Sequence, residues 1–368
     1  MRLLRLLAGL LLAFTMPAFA QETAAIRTDN PLQTPLDKKI DSLARAYITQ
    51  PGVAGGLSIG ITRNGKQFTY NYGEVKKGYG QLPDSSTVYE IGSLSKTFTA
   101  TLFALEIINK KMKKDDLLSR YLPDNIPVHR YNDTPITLVT LVNHTSALPR
   151  LPQNLFETAD ASNPYAHYTT NMMYKFLGTY KLERAPGTKY EYSNIAPGLM
   201  STILGQQHKM PYAQLLQEAI CRPLGMNNTA VKLTPAMESR FAQGYDAGGK
   251  AVNAWDFQEI AGAGGIRSTV ADLLRFLHAN MDSTGGKLYK AMALCREPTF
   301  SKDGMTVGMG WHIGNIGRDK FYNHTGATGG FASYTAFVPA RNTGFTILCN
   351  RAAQTNIGND LLIWLYMN

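Results

Sequence analysis

Two blocks of alternating apolar and polar residues, one near each end of the chain, set the tightest limit on what this sequence can fold into. The first runs over 56–72 and turns at Asn64-Gly65, the pair that best tolerates the positive φ angles of a two-residue hairpin. The second lies far downstream, at 307–316, 320–322, 331–338 and 344–349. Between them the spacing is mostly helical. A long apolar helix is predicted from near Ser93 through Phe98, Leu102, Leu105 and Ile108, and another from Thr269. Thr269 and Asp272 approximate a capping box, and Val270, Leu273, Leu274 and Leu277 supply the apolar face. Residues 36–47 read as an amphipathic helix and 355–366 as a final apolar one. Strands at both ends with helices between them predict an α/β (α+β) fold. Its sheet is expected to be largely antiparallel, flanked by helices and built from both chain ends, with an inserted mainly helical domain. The expected boundaries are 21–90 with 300–368 for the discontinuous sheet domain and 91–299 for the helical one.

The first twenty residues read as an address. Arg2 and Arg5 form a basic n-region, 6–14 is an apolar stretch, and Ala18-Phe19-Ala20 supplies the small residues of a cleavage site. A signal peptide over 1–20, cut near Ala20, predicts an exported chain, periplasmic or secreted, with no stable membrane anchor after cleavage. Losing Arg2 and Arg5 lowers the formal charge from +10 to +8. The densest basic run, Lys110, Lys111, Lys113 and Lys114, follows the predicted apolar helix. Cations are favoured at a helix C-terminus, so the run reads as a solvated helix end and no nucleic-acid partner is expected. Charged residues are only 17% of the 368, which excludes a disordered chain. Three cysteines close no disulfide framework. Cys221 and Cys349 read as small buried hydrophobes, while Cys295 is left open.

Seven histidines are scattered, and none forms a close ligand pair, so no metal site is expected. No Gly-Lys-Ser/Thr follows the glycines at 326–330, and no organic cofactor is expected either. Serine chemistry remains, with two candidates. Ser58 sits in Gly56-Leu57-Ser58-Ile59-Gly60, which matches a nucleophile elbow; that device needs a strand turning into a helix, and here the strand continues to the hairpin. Ser93 begins Ser93-Leu94-Ser95-Lys96. Residues three apart share a helix face, so the Lys96 amine can approach the Ser93 hydroxyl, near free backbone N–H groups at the helix start. Burial in the following apolar run lowers a lysine's basicity toward that of a working base. Tyr192-Ser193-Asn194 adds a phenol able to cycle as acid and base, and an amide able to orient Lys96 and donate to a substrate. His324-Thr325-Gly326 opens a strand whose small residues can dock an extended acyl group and supply a backbone N–H.

The motifs Ser93-x-x-Lys96, Tyr192-x-Asn194 and His324-Thr325-Gly326 resemble those of the penicillin-recognising serine hydrolases. The likeness is strongest to class C β-lactamases and the related D-alanyl-D-alanine carboxypeptidases and esterases. Glu90-Ile-Gly-Ser-Leu-Ser-Lys-Thr-Phe-Thr, Thr140 to Pro149, Cys221-Arg-Pro-Leu-Gly-Met226 and His324 to Phe331 extend the likeness. It covers the chain from about residue 35 to the end. The resemblance implies a serine β-lactamase/DD-peptidase-like fold and an acyl-enzyme on Ser93, with Lys96 and Tyr192 handling the proton. It implies that Asn194 contacts Lys96 and the substrate amide. The Ser93 and Ala327 N–H groups would form the oxyanion hole beside Gly326, with His324 and Thr325 facing the substrate carboxylate. One departure stands out: typical class C β-lactamases carry lysine where this chain has His324, which looks more like the peptidases and esterases and also like some atypical lactamases. The expected substrate is a small-molecule β-lactam; the alternatives are a D-Ala-D-Ala peptide or peptidoglycan, or a simple ester. A non-catalytic sensor is disfavoured by the intact Lys96, Tyr192 and Asn194, and the chain is expected to act as a monomer.

Overall fold

The structure is a computed structural model that describes residues 26–50, 55–282, 284–353 and 357–368. The leader expected over 1–20 lies outside the described residues. The chain enters through α1 (Pro35–Ile48), forms the hairpin β1 (Leu57–Arg63) and β2 (Lys66–Tyr72), and passes β3 (Tyr89–Glu90) into α2 (Ser95–Ile108). The middle supplies α3 (Leu138–Val142), α4 (Thr170–Thr179), α5 (Ile195–Gln207), α6 (Tyr212–Leu216) and α7 (Pro235–Glu238). Three two-residue strands follow, β4 (Gly244–Tyr245), β5 (Ala251–Val252) and β6 (Arg267–Ser268), then α8 (Val270–Met281) and α9 (Lys287–Cys295). The last stretch is β7 (Phe300–Lys302), β8 (Met305–Val307), β9 (His312–Ile316), β10 (Asp319–Ala327), β11 (Ala332–Val338), β12 (Thr343–Cys349) and α10 (Ile357–Met367). No helix of the described residues is long and apolar enough to cross a membrane.

The main sheet has eight strands in the order β2-β1-β12-β11-β10-β9-β8-β7, every pair antiparallel. The two chain ends meet at the β1–β12 pair, in register from Leu57 opposite Cys349 to Arg63 opposite Thr343. Local chemistry explains the first elements. Thr34 and Asp37 cap α1 reciprocally, with Pro35 in its first turn. Asn64 and Gly65 take φ of +50° and +76°, the pair of positive angles that suits the right-handed strand twist. Period-two burial then divides the sheet's faces. Leu57, Ile59, Ile61, Tyr334, Ala336, Phe345 and Ile347 pack with α1 and α10. Phe337, Leu348 and Tyr322 join the larger core with α2, α5, α8 and α9.

Several expectations shift in detail. The stretch 307–316 is two strands, because Gly308 to Trp311 leaves the ladder to run against helices. The Met309 N–H donates to the Cys295 carbonyl and the Gly310 N–H to that of Val142. β10 is longer than the alternation over 320–322 shows, because His324 to Ala327 have too little apolar character to register as strand. The final helix is described from Ile357, so its expected start at residue 355 lies outside the described residues. Thr269 caps α8 by accepting from the Asp272 N–H. The buried Asp272 carboxylate completes no reciprocal box; it accepts from the Asn228 N–H and the Thr229 hydroxyl, tying that loop to the helix. α8 comes from the middle of the chain, yet it lies on the sheet: a Cβ on Gly60 would sit 3.0 Å from Leu274. All three cysteines are free and buried, Cys295 included.

Candidate active site

α2 is buried on every side from Ser95 to Glu106, the mark of a helix through a protein's centre. Phe98 stacks on Phe276 of α8 with ring centroids 3.9 Å apart. Ser93 precedes the helix proper, in a single tight turn at Gly92–Leu94. Two glycines let β10 press against that turn. Gly92 has φ of +51°, and a Cβ there would strike the Ala327 backbone at 2.6 Å. A Cβ on Gly326 would meet the Ile91 carbonyl oxygen at 2.0 Å and the Ser93 nitrogen at 3.0 Å. Any side chain at either position would wedge apart the Ser93 and Ala327 amides, the pair expected to hold an oxyanion.

One turn into α2, Lys96 is 2% exposed. Its Nζ lies 2.9 Å from Ser93 Oγ, 2.9 Å from Asn194 Oδ1 and 2.6 Å from the Ala263 carbonyl oxygen. Burial, and next the Arg150 guanidinium, holds this amine well below the ordinary lysine range. A neutral amine has two N–H groups and one lone pair. Asn194 Oδ1 and the Ala263 carbonyl can only accept from it, so the lone pair is left for the Ser93 hydroxyl.

The segment that carries Tyr192 and Asn194 is clamped to the 144–150 loop. The Ser193 N–H donates to His144 Nδ1 at 3.2 Å, the Ser193 hydroxyl to the Pro149 carbonyl at 2.7 Å, and the Asn194 N–H to the Arg150 carbonyl at 2.8 Å. His144 and Ala147 hold φ of +61° and +62° in that loop, a costly conformation for side-chain-bearing residues that clusters at functional sites. The Tyr192 ring centroid is 4.8 Å from Lys96 Nζ, 5.1 Å from the Arg150 guanidinium carbon and 4.4 Å from the His144 ring. Burial pushes the Tyr192 phenol up to about 12, against the opposing pull of the Ser93 hydroxyl and Arg150. Burial thus shifts the amine toward its neutral form and the phenol toward its protonated form, which favours a base beside an acid.

β10 alternates across its two faces. Thr325 and Ala327 are exposed, whereas His324 and Gly326 are buried. The His324 ring lies 5.3 Å from that of His312 and 6.4 Å from that of Tyr192. Its Nδ1 is 2.6 Å from the Thr325 carbonyl, to which it donates, and Nε2 is buried without a partner. Burial, followed by His312 and Lys96, keeps His324 well below the usual imidazole range. It is therefore a neutral ring whose one N–H is already spent. His312 is likewise lowered by burial, and its Nε2 lies 2.8 Å from the Tyr190 hydroxyl.

These groups meet at a cleft of about 710 Å³ whose walls include Ser93, Arg150, Tyr192, His324, Thr325, Gly326 and Ala327. Ser58 is elsewhere. It lies buried in β1, 2.8 Å from Asn71 Oδ1 and 2.9 Å from the Tyr89 hydroxyl, with no helix after it. The cleft also takes residues the motifs do not reveal: Arg150, His312, and Tyr334 donating to Asn359 at 2.8 Å. Arg150 stands immediately after the resembling segment that ends at Pro149. His312 and Asn359 carry no local signal.

A family model described as Beta-lactamase matches residues 40–367. The chain belongs to the Beta-lactamase family. It is 31% identical to a beta-lactamase of Pseudomonas fluorescens over 86% of this chain and 94% of that one. It is 30% identical to the D-alanyl-D-alanine-carboxypeptidase/endopeptidase AmpH of Escherichia coli strain K12, over 95% and 93%. A crystal structure of a class C beta lactamase superposes with a TM-score of 0.80 at 25% identity, covering 89% of this chain and 97% of the other. This beta-lactamase-family chain is a serine hydrolase with a mixed α/β fold and a large antiparallel sheet.

The protonation states set a pH prediction for this hydrolase. Lys96 loses its proton at lower pH than an ordinary lysine, at about 10.4, so kcat/KM rises as pH climbs through that lowered value. The Tyr192 phenol keeps its proton up to about 12, which leaves a plateau on the alkaline side. Steady-state hydrolysis of an uncharged ester across pH measures the profile. An acid limb centred near the ordinary lysine value would show Lys96 charged at rest and defeat its role as base.

Proposed function

We propose that this serine hydrolase is exported and opens β-lactam amides through an acyl-enzyme on Ser93. The observation that carries the reading is the buried Lys96 amine, with both of its N–H groups engaged and its remaining position on Ser93 Oγ. As Ser93 Oγ bonds to the acyl carbon, its proton passes to Lys96 Nζ. The charge on the acyl oxygen is met by the N–H groups of Ser93 and Ala327. Collapse breaks the carbon–nitrogen bond, and the leaving nitrogen takes the Tyr192 proton, which the Lys96 ammonium replaces. Water then attacks the acyl-enzyme, passing its proton by way of the Tyr192 hydroxyl to Lys96 Nζ; collapse breaks the bond from Ser93 Oγ to the acyl carbon, Oγ regains that proton from Lys96, and the acid leaves. Asn194 donates to the substrate amide, and Thr325 meets the carboxylate from the exposed face of β10. The basic, apolar and small-residue order of the leader supports export.

A D-alanyl-D-alanine carboxypeptidase or endopeptidase uses the same acylation. The neutral His324 and the similarity to AmpH over 95% of the chain favour that second reading. Mixing the protein with a penicillin, while following intact mass and ring opening together, separates the two. Repeated ring opening supports the lactamase. A lasting one-to-one adduct, with release of D-alanine from a D-Ala-D-Ala peptide, supports the peptidase and overturns the first reading. Neither adduct nor turnover, with rapid hydrolysis of simple esters, overturns both.

A further inference from the structure

Among the described residues that wall the catalytic cleft, Arg150 is the one lysine or arginine, and there is no aspartate or glutamate. Its side chain is exposed, and it pairs with no carboxylate among the described residues. Some arginines elsewhere are paired, among them Arg45 with Asp41, Arg184 with Glu191, Arg275 with Asp272 and Arg341 with Asp319. The Arg150 backbone is fixed, because its carbonyl accepts from the Asn194 N–H at 2.8 Å. Its guanidinium carbon lies 5.1 Å from the Tyr192 ring centroid, at the edge of the reacting groups. On the strand side of the cleft, His324 offers neither charge nor a free N–H.

An unpaired guanidinium in a cleft free of acids is matched by a ligand that brings its own negative charge. Its planar fork binds a carboxylate through two parallel hydrogen bonds, which the point charge of a lysine does not reproduce. Low-dielectric walls also focus its field on an approaching anion. We propose that Arg150 is the specificity-determining residue that reads a carboxylate on the acyl substrate, in place of a cation on β10. This rests on the acyl-enzyme reading of Ser93. The preferred substrates are amides or esters with a carboxylate within reach of Tyr192, on the acyl arm or on the leaving group. The resting cation also leans on Lys96, so an anion that neutralises it raises the basicity of the amine as the substrate seats.

Three N-acylglycyl phenyl esters test this: one neutral, one with a carboxylate on the acyl arm, and one with a carboxylate on the leaving phenol. For each, kcat/KM is measured on the full chain and on Arg150→Ala, Arg150→Lys and Arg150→Glu, with intact mass to detect the Ser93 adduct. The carboxylate-to-neutral ratio falls by about tenfold to a hundredfold in Arg150→Ala on one of the two arms. It recovers in part in Arg150→Lys and falls further in Arg150→Glu. The arm that responds tells which end of the substrate carries the charge. In the unmodified chain the ratio also drops as salt is raised. Ratios in Arg150→Ala within about twofold of the parent on both arms, with Ser93 still acylated, overturn the assignment of Arg150 alone. No adduct with any of the three esters removes the acyl-enzyme reading, and this proposal with it.

Discussion

Ser93→Ala is expected to abolish the covalent adduct with any β-lactam or ester and to lower turnover by about 10⁴-fold or more. Among the described residues, the only hydroxyl that Lys96 Nζ reaches within hydrogen-bonding distance is that of Ser93. Alanine leaves the amine and the amide pocket in place with nothing to acylate. The residual rate is what binding and the amide donors supply without a nucleophile. Ser58→Ala supplies the contrast. It orphans Asn71 Oδ1 and the Tyr89 hydroxyl inside the sheet, a loss of about 1–3 kcal/mol, and acylation persists. Intact mass after exposure to a penicillin, together with a denaturant melt, reads both variants. An adduct on Ser93→Ala that is missing from Ser58→Ala would reverse the assignment.

Lys96→Ala is expected to cost about 10³- to 10⁴-fold in the acylation rate, or about 4–5.5 kcal/mol of barrier. The choice of replacement separates a base from a fixed cation. Arginine preserves positive charge and donors toward Asn194 Oδ1 and the Ala263 carbonyl, but it does not give up a proton at working pH. If Lys96 acts as the base, Lys96→Arg is as slow as Lys96→Ala within about tenfold. If the charge alone matters, arginine restores most of the rate. Single-turnover acylation followed by mass spectrometry reads this step without interference from deacylation.

Much of the frame was legible in the residues. Period-two alternation at both ends, with Asn64-Gly65 at the first turn, marks a sheet closed by the two termini. The 3.6-residue period of α2 places Lys96 one turn after Ser93. What stayed hidden is less periodic. His324 to Ala327 are strand by pairing with β11 rather than by composition. Gly308 to Trp311 leave the sheet because helix-end carbonyls claim the Met309 and Gly310 amides. The charge state of His324 is hidden for another reason. A motif names the ring, whereas burial and the Thr325 carbonyl decide which nitrogen holds the proton.

The sequence alone brought forward Ser93 and Lys96, with Tyr192 and Asn194, as the candidate catalytic set, and the sheet built from both ends. These follow from spacing along the chain, which local geometry converts directly into shared faces and hydrogen-bonding reach. Only the tertiary structure decided that burial and Arg150 hold Lys96 well below the ordinary lysine range, and that Arg150 enters the cleft as the one wall cation among the described residues. Each depends on desolvation or on a partner distant in the chain. Such energies arise when α2 is sealed in the core and β10 is laid against its first turn.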